Sequence, residues 1–382
     1  MPFEYQYITT AEERDKAIAA LSHVTEMSVD IEGDSLYHYN ERVALIQVSG
    51  GDRHYIFDPL LLDSVLELGP LFENRSILKI FHGSDYDITS LKRDYGFKIG
   101  PIFDTALAAR ATGMIRYSLK ELVSKYFRVD LCKEHQKSDW SVRPLSKEQL
   151  DYASEDTAYL SSLRSLLTDE VIKRGRADQL AEEFVVMENI AWTRKPFNPK
   201  DYLRIKGSTV LPFEGQQILM ELVSVRDKIA REKDLPPFKV AHSGDLVRLA
   251  AERPMDEEAF TQIFPKGRIS RDKACWVEAI KKGVVCTGPL PKKERKTGEG
   301  SSPMTRYQQK LFIHLRIWRD KQAELEGVEP AMILTNPLLQ EICKKRPGTV
   351  AALEAIAVIR KWQINHYGEQ LIKELAAFST VS

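Results

Sequence analysis

Met27-Ser28-Val29-Asp30-Ile31-Glu32 and, after a short gap, Val43-Ala44-Leu45-Ile46-Gln47-Val48 decide how this chain begins to fold. Both runs are short, apolar and rich in β-branched residues, which is the composition of strands packed against neighbours. Tyr55-Ile56-Phe57 and Ile77-Leu78-Lys79-Ile80-Phe81 repeat the pattern, and Gly50-Gly51-Asp52 between two of the runs reads as a hairpin turn. From Ser84 the pattern becomes helical: Ser84 to Tyr95, Thr105 to Ala111, Ser118 to Phe127, and a long helix from Ser146 to about Arg174. Ser146 with Gln149 makes a capping box at its start, and Leu150, Ala153, Leu160, Leu163 and Leu167 form an apolar stripe. Strands followed by helices predict an α/β layer domain in which a mixed sheet is flanked by helices.

Working outward, this domain is expected to occupy residues 1–195, and a Pro-, Lys- and Arg-rich stretch at 196–211 marks its boundary. Residues 212–287 read as a small all-α unit, with Ile218, Leu219, Leu222, Val225 and Ile229 on one helix, then Asp245 to Ala251 and Glu257 to Phe264. Residues 288–304 contain Gly288-Pro289-Leu290-Pro291, the run Lys292 to Lys296, and Gly298 to Pro303, the composition of a flexible linker. Residues 305–382 then repeat the second unit. Leu222-x-x-x-Arg226-Asp227-Lys228 answers Leu315-x-x-Trp318-Arg319-Asp320-Lys321, and each copy has a short helix ending in Arg-Pro, at Arg253 and Arg346.

Lys+Arg 55 balance Asp+Glu 55 among 382 residues, so net charge neither supports nor excludes a nucleic-acid partner; only the local distribution of charge can. Cys132, Cys275, Cys286 and Cys343 are scattered without metal-ligand spacing or a disulfide framework. The charged opening, Glu12 to Lys16, is not a secretory signal, and no run is long and apolar enough to span a membrane. A cytoplasmic protein is expected.

Asp30 and Glu32 are two apart on a strand, so both carboxylates leave the same face. Two acids on an otherwise apolar strand repel each other and lose hydration, which invites a hard divalent cation between them. The pattern equally fits a strand end with one exposed acid and one capping the Gly33-Asp34-Ser35 turn. Asp87 falls in the first turn of the helix after the fourth apolar run, where it could pair with Ser84 as an ordinary capping couple. Tyr152 and Asp156 share a helix face at i and i+4, which ordinary packing also explains.

Taken in order, Asp-x-Glu on an early strand, Asp after a later one and Tyr-x-x-x-Asp on the closing helix resemble the DEDDy 3′-to-5′ exonucleases. Val43 to Val48, Phe103-Asp104-Thr105, Ser138 to Leu145 and Tyr152-Ala153-x-x-Asp156 are similar to ribonuclease D, and the two C-terminal repeats resemble HRDC domains. The resemblance implies a ribonuclease H-like fold and a 3′-to-5′ exoribonuclease that releases nucleoside 5′-monophosphates. It implies that Asp30, Glu32, Asp87 and Asp156 bind two Mg²⁺ or Mn²⁺ ions ~4 Å apart, with Asp30 bridging them and Tyr152 orienting the attacking water. Asp85 is a rival to Asp87 by a register slip of two. Asp104 and Asp139 are expected to support structure.

A single-stranded RNA 3′ end needs basic groups for phosphates and aromatic faces for bases, and Lys133, His135, Lys137, Trp140 and Arg143 form a candidate strip, or a merely solvated loop. Family resemblance points to tRNA precursors, and a monomer is expected. The competing readings are a DNA exonuclease of the same catalytic type and a silent RNA-binding scaffold, the latter disfavoured by four intact acids that would be costly to bury unused.

Overall fold

The structure, a computed structural model, describes residues 3–132, 134–193, 196–290 and 304–381. It divides into two units, one of residues 1–32, 43–192 and 297–382, the other of residues 33–42 and 193–296.

In the first unit six strands, β1 (Tyr5–Ile8), β2 (Glu26–Gly33), β3 (Val43–Gly50), β4 (Arg53–Phe57), β5 (Leu78–Phe81) and β6 (Ile102–Asp104), make one sheet in the order β1-β4-β3-β2-β5-β6. β3 and β4 pair antiparallel through the expected turn, where Gly51 takes a positive φ of 60° that suits glycine. The pairs β1–β4, β2–β5 and β5–β6 are parallel, so the sheet is mixed. Strands β1 and β6 escape a reading of the sequence because four and three residues carry too little periodicity. Their neighbours in the sheet define them.

Helices of this unit include α1 (Ala11–Leu21), α2 (Asp85–Tyr95), α3 (Thr105–Ala111), α4 (Leu119–Phe127), α5 (Lys147–Ala158), α6 (Leu160–Lys173) and α7 (Ala177–Glu188). On β2 the alternation is strict: Met27, Val29 and Ile31 enter a core shared with Ala17 and Leu21 of α1 and with Ile88 and Leu91 of α2. Asp30 and Glu32 are left on the other face.

The long helix expected from Ser146 to Arg174 is two helices, broken at Tyr159, whose ring lies 5.2 Å from that of Phe3 and 5.3 Å from that of Phe127. The apolar stripe is divided with it. Ala153 joins Ala44, Leu45, Ile56 and Trp140, whereas Leu160, Leu163 and Leu167 join Ile80, Phe103 and Leu122. One straight helix would hold both halves in a single line, and the break lets each half meet its own cluster.

The second unit holds α8 (Phe213–Glu232), α9 (Ser243–Glu252), α10 (Glu257–Ile263) and α11 (Lys273–Val285) around Ile218, Leu222, Leu246, Phe260, Trp276 and Ile280. Residues 33–42, the connection between β2 and β3, belong to it as a strap. The Tyr39 hydroxyl donates to Asp227 at 2.7 Å, the Tyr39 backbone N–H to Asp234 at 3.1 Å, and His38 Nδ1 lies 2.7 Å from Asp234. Lys239 Nζ sits 3.6 Å from the centre of the Tyr37 ring.

The C-terminal copy, α12 (Arg306–Glu326), α13 (Asn336–Lys345) and α14 (Lys361–Val381), is in the first unit. The suspected repeat has a structural counterpart. Arg226 donates to the Ala241 carbonyl and Arg319 to the Leu334 carbonyl, while Arg253 and Arg346, each before proline, end α9 and α13 with φ of 53° and 49°. Proline disfavours the right-handed helical conformation in the residue before it, which helps to stop both helices at the same point. The run Lys292 to Lys296 lies outside the described residues.

Lys79 on β5 is fully buried and donates to the carbonyls of Asn74, Ile77 and Gly100 at 2.6–2.7 Å. Burial pulls its pKa down to about 8, with Arg75 adding to the shift. Lys79→Met would leave three carbonyls without this donor. Its unfolding midpoint in urea should fall by the equivalent of about 2–4 kcal/mol, and an unchanged midpoint would show that the clamp contributes nothing.

Candidate active site

Asp30 and Glu32 on β2 meet Asp156 on α5 at the floor of a cleft, where one carboxylate oxygen from each lies within 4.8 Å of the others. Ser146 starts α5 with a capping box, its hydroxyl accepting from the Gln149 N–H while Gln149 Oε1 accepts from the Ser146 N–H, so the helix enters at a defined point. Packing of Ala153 against β3 and β4 then aims Tyr152 and Asp156 at the acids of β2.

Asp87 lies in the first turn of α2 and is 6 % exposed, whereas Asp85 is exposed to solvent. Geometry therefore favours Asp87 over its rival. The capping couple with Ser84 does not form: Ser84 donates its N–H and hydroxyl to Asp104 at 2.7 and 2.9 Å. The other oxygen of Asp104 accepts from the Leu107 N–H at 2.9 Å, so this one carboxylate fixes the starts of both α2 and α3. Asp139 is likewise occupied, accepting from the Ser141 N–H and hydroxyl.

The electrostatics are those of like charges confined together. Burial raises the carboxyls of Asp30, Glu32 and Asp156 well above the usual range, and each is raised further by acidic neighbours, Asp87 on Asp30, Asp30 on Glu32 and on Asp156. Asp87 is pushed up to about 8 by burial, with Asp104 and Asp156 adding to it. Burial also raises the Tyr152 phenol, with the Asp156 charge next in weight and a hydrogen bond between the two. Tyr152 is thus a neutral donor at the edge of an acidic cluster.

The cleft has a volume of about 280 Å³, and besides the acids and Tyr152 its lining includes His82, Lys120, Cys132 and Gln136. His82 is held neutral by burial, leaving Lys120 as the one formal cation among the described lining residues. An all-oxygen donor set with so little positive charge facing it fits a hard divalent cation. No spacing in the sequence singles out Lys120, Cys132 or Gln136, since only the fold brings these loops to the cleft.

The expected nucleic-acid strip requires correction. Trp140 is 1 % exposed and packs beside Tyr152 at 6.0 Å between ring centres, so its face is not open to a base. Arg143 is spent internally: it clamps the buried Asp58 carboxylate at 2.5 and 2.9 Å and donates to the carbonyls of Trp140 and Ala44. His135 is half-buried with its ring 6.2 Å from that of Tyr152, Lys137 is exposed, and Lys133 lies outside the described residues.

Comparison with known proteins adds three findings. The 3′-5′ exonuclease family matches residues 5–172, and the HRDC domain matches residues 215–280 and 308–375. The chain is 32% identical over 268 residues to the exosome complex exonuclease RRP6 of Saccharomyces cerevisiae, covering 65% of this chain and 36% of that protein. It is 27% identical to ribonuclease D of Desulfotalea psychrophila, over 88% of this chain and 89% of that one. It thus spans about a third of the length of the exosome relatives it matches. The crystal structure of Escherichia coli RNase D shares the fold, with a TM-score of 0.70 at 21% identity over 98% of this chain and 99% of that one.

The raised carboxyls set a direction for stability against pH. Each binds its proton more tightly in the folded protein than in the unfolded one, so the cluster favours folding at low pH and loses that contribution as pH rises, for Asp87 from about pH 4 to about pH 8. In EDTA the thermal midpoint should fall across this window, less steeply in Asp87→Asn, and millimolar Mg²⁺ or Mn²⁺ should recover it. A metal-insensitive, flat profile would contradict the cluster. Separately, Arg143→Met should cost about 3–5 kcal/mol of stability by stranding buried Asp58. RNA affinity of the folded fraction should stay unchanged, and a selective loss of RNA binding would restore Arg143 to the substrate surface.

Proposed function

Because the chain belongs to the ribonuclease D-like family, with a 3′-5′ exonuclease domain followed by HRDC domains, we propose that it shortens single-stranded RNA from the 3′ end. Nucleoside 5′-monophosphates are released one at a time. The observation that carries this reading is the convergence of Asp30, Glu32 and Asp156 beside the buried Asp87 and the phenol of Tyr152.

In this reading Asp30, Glu32, Asp87 and Asp156 would hold two divalent cations, Mg²⁺ or Mn²⁺. The chemistry such cations would supply there is Lewis acidity toward a phosphate and a lowered pKa for bound water. The chain's own groups do the rest. Tyr152, neutral and hydrogen-bonded to Asp156, offers its hydroxyl to orient the attacking water. Lys120 lines the same cleft and would balance phosphate charge, and the His135 ring lies 6.2 Å from that of Tyr152. We read residues 1–195 as the nuclease domain, 212–287 and 305–382 as the HRDC domains, and 196–211 and 288–304 as linkers. Stable RNA precursors such as tRNA are the proposed substrates, handled by a cytoplasmic monomer. The four cysteines are unpaired, which suits a reducing compartment.

The test is digestion of a 5′-labelled single-stranded RNA and its DNA counterpart in Mg²⁺, Mn²⁺ or EDTA. A ladder shortening from the RNA 3′ end is expected only with metal, abolished in Asp30→Ala and slowed about 100-fold in Tyr152→Phe. Equal attack on DNA would remove the ribonuclease assignment and keep the metal-dependent chemistry; cleavage of neither would leave an RNA-binding scaffold.

A further inference from the structure

β5 and β6 pair in parallel with Phe81 opposite Asp104, so the residues that follow, His82 and Thr105, leave the sheet side by side at the same end. The Thr105 hydroxyl donates to the Phe81 carbonyl at 2.9 Å, which uses its only proton. His82 Nδ1 lies 2.9 Å from that same hydroxyl oxygen and must therefore donate to it. This fixes the tautomer: Nδ1 carries the hydrogen and Nε2 presents a bare lone pair. Burial lowers the pKa of the ring, which favours the neutral form.

Nε2 is open as well as unpaired. Among the described residues that are not exposed, the side-chain nitrogens both sealed from solvent and without a partner are those of Gln47, Trp140, Arg164 and Trp362. His82 is half-buried, its Nε2 has no partner among the described residues, and it is not one of the sealed four. The residue lines the cleft together with Asp30, Glu32, Tyr152 and Asp156. One carboxylate oxygen each from Asp30, Glu32 and Asp156 lies within 4.8 Å of the others, and no histidine nitrogen joins that set among the described residues. Nε2 thus stands beside a cation site rather than in it. A lone pair does not hold a phosphate, which offers only acceptors of its own; it needs an O–H or N–H donor.

A 3′-terminal nucleotide whose 5′ phosphate meets the acids through a cation carries its sugar one methylene group away, and the donors on that sugar are its hydroxyls. We propose that His82 Nε2 accepts a hydrogen bond from a hydroxyl of the terminal ribose, which makes His82 a specificity-determining residue of the cleft. The identity of the ligand rests on the exonuclease reading; the tautomer and the open acceptor do not. Made to the 2′-hydroxyl, the contact tells RNA from DNA. Made to the 3′-hydroxyl, it tells a free end from a blocked one.

The test uses three 5′-labelled ten-nucleotide RNAs that differ only in a terminal ribose, 2′-deoxyribose or 3′-deoxyribose. Their binding to the full chain is followed by fluorescence anisotropy with Ca²⁺ in place of Mg²⁺, whose looser coordination separates affinity from cleavage. Wild type should bind the ribose end about tenfold more tightly than at least one of the deoxy ends. His82→Leu should bind all three alike, and His82→Gln, whose amide oxygen can reach the place of Nε2, should keep part of the preference. Each preference is a ratio within one protein, so a folding defect does not imitate it. The deoxy end that weakens binding names the hydroxyl. The proposal is overturned if the three ends bind wild type alike, if the preference survives His82→Leu, or if no strand binds. A His82-dependent preference in a chain that shortens none of these RNAs with Mg²⁺ or Mn²⁺ would remove the exonuclease reading alone, and shortening without the preference would remove the proposal alone.

Discussion

Repulsion among clustered carboxylates is the constraint on which the α/β unit depends. At separations of at most 4.8 Å and an effective dielectric of about 20, each ionised pair opposes folding by roughly 3 kcal/mol or more. Three such pairs rival the whole stability of a typical domain, about 5–15 kcal/mol. The acids must therefore hold protons or a cation, and the surroundings are arranged to keep them together regardless. β2 is pinned from its other face by Met27, Val29 and Ile31, α5 is started by a capping box and anchored by Ala153, and Asp104 ties the beginnings of α2 and α3. Each of these elements spends ordinary packing or hydrogen bonding on holding an unfavourable cluster in register.

That division of labour explains what could be read in advance. Asp30 and Glu32 were legible because the period of a strand puts them on one face, and Tyr152 with Asp156 because the period of a helix does the same. Asp87 was less so: its spacing competes with Asp85, and burial, a tertiary property, separates the two. Strands β1 and β6 were invisible because pairing, not composition, makes them strands. The fold class and the repeated helical plan came through, while the break at Tyr159 did not, since it answers two clusters that come together only in three dimensions.

Trp140 and Arg143 show where local reasoning misleads. In sequence they look like a nucleic-acid surface, an aromatic between basic residues. In the fold the same types serve a buried clamp: Arg143 gathers Asp58 and two carbonyls, and Trp140 backs Tyr152. Charge and aromaticity describe what a side chain can do; only its neighbours decide whether it is available.

The strap of residues 33–42 carries a consequence for the order of events on the ribosome. Its partners lie far downstream, Asp227 at a separation of 188 residues from Tyr39 and Asp234 at 196 from His38. At about 5–20 residues per second the strap waits on the order of 10–40 s for them. The strand bearing the first two acids is therefore synthesised with its following loop unanchored, and an early nascent chain can assemble the sheet but not finish that loop. Units that look sequential along the gene are in this respect interleaved, so the loop after β2 is completed only after the helical unit behind it has been made.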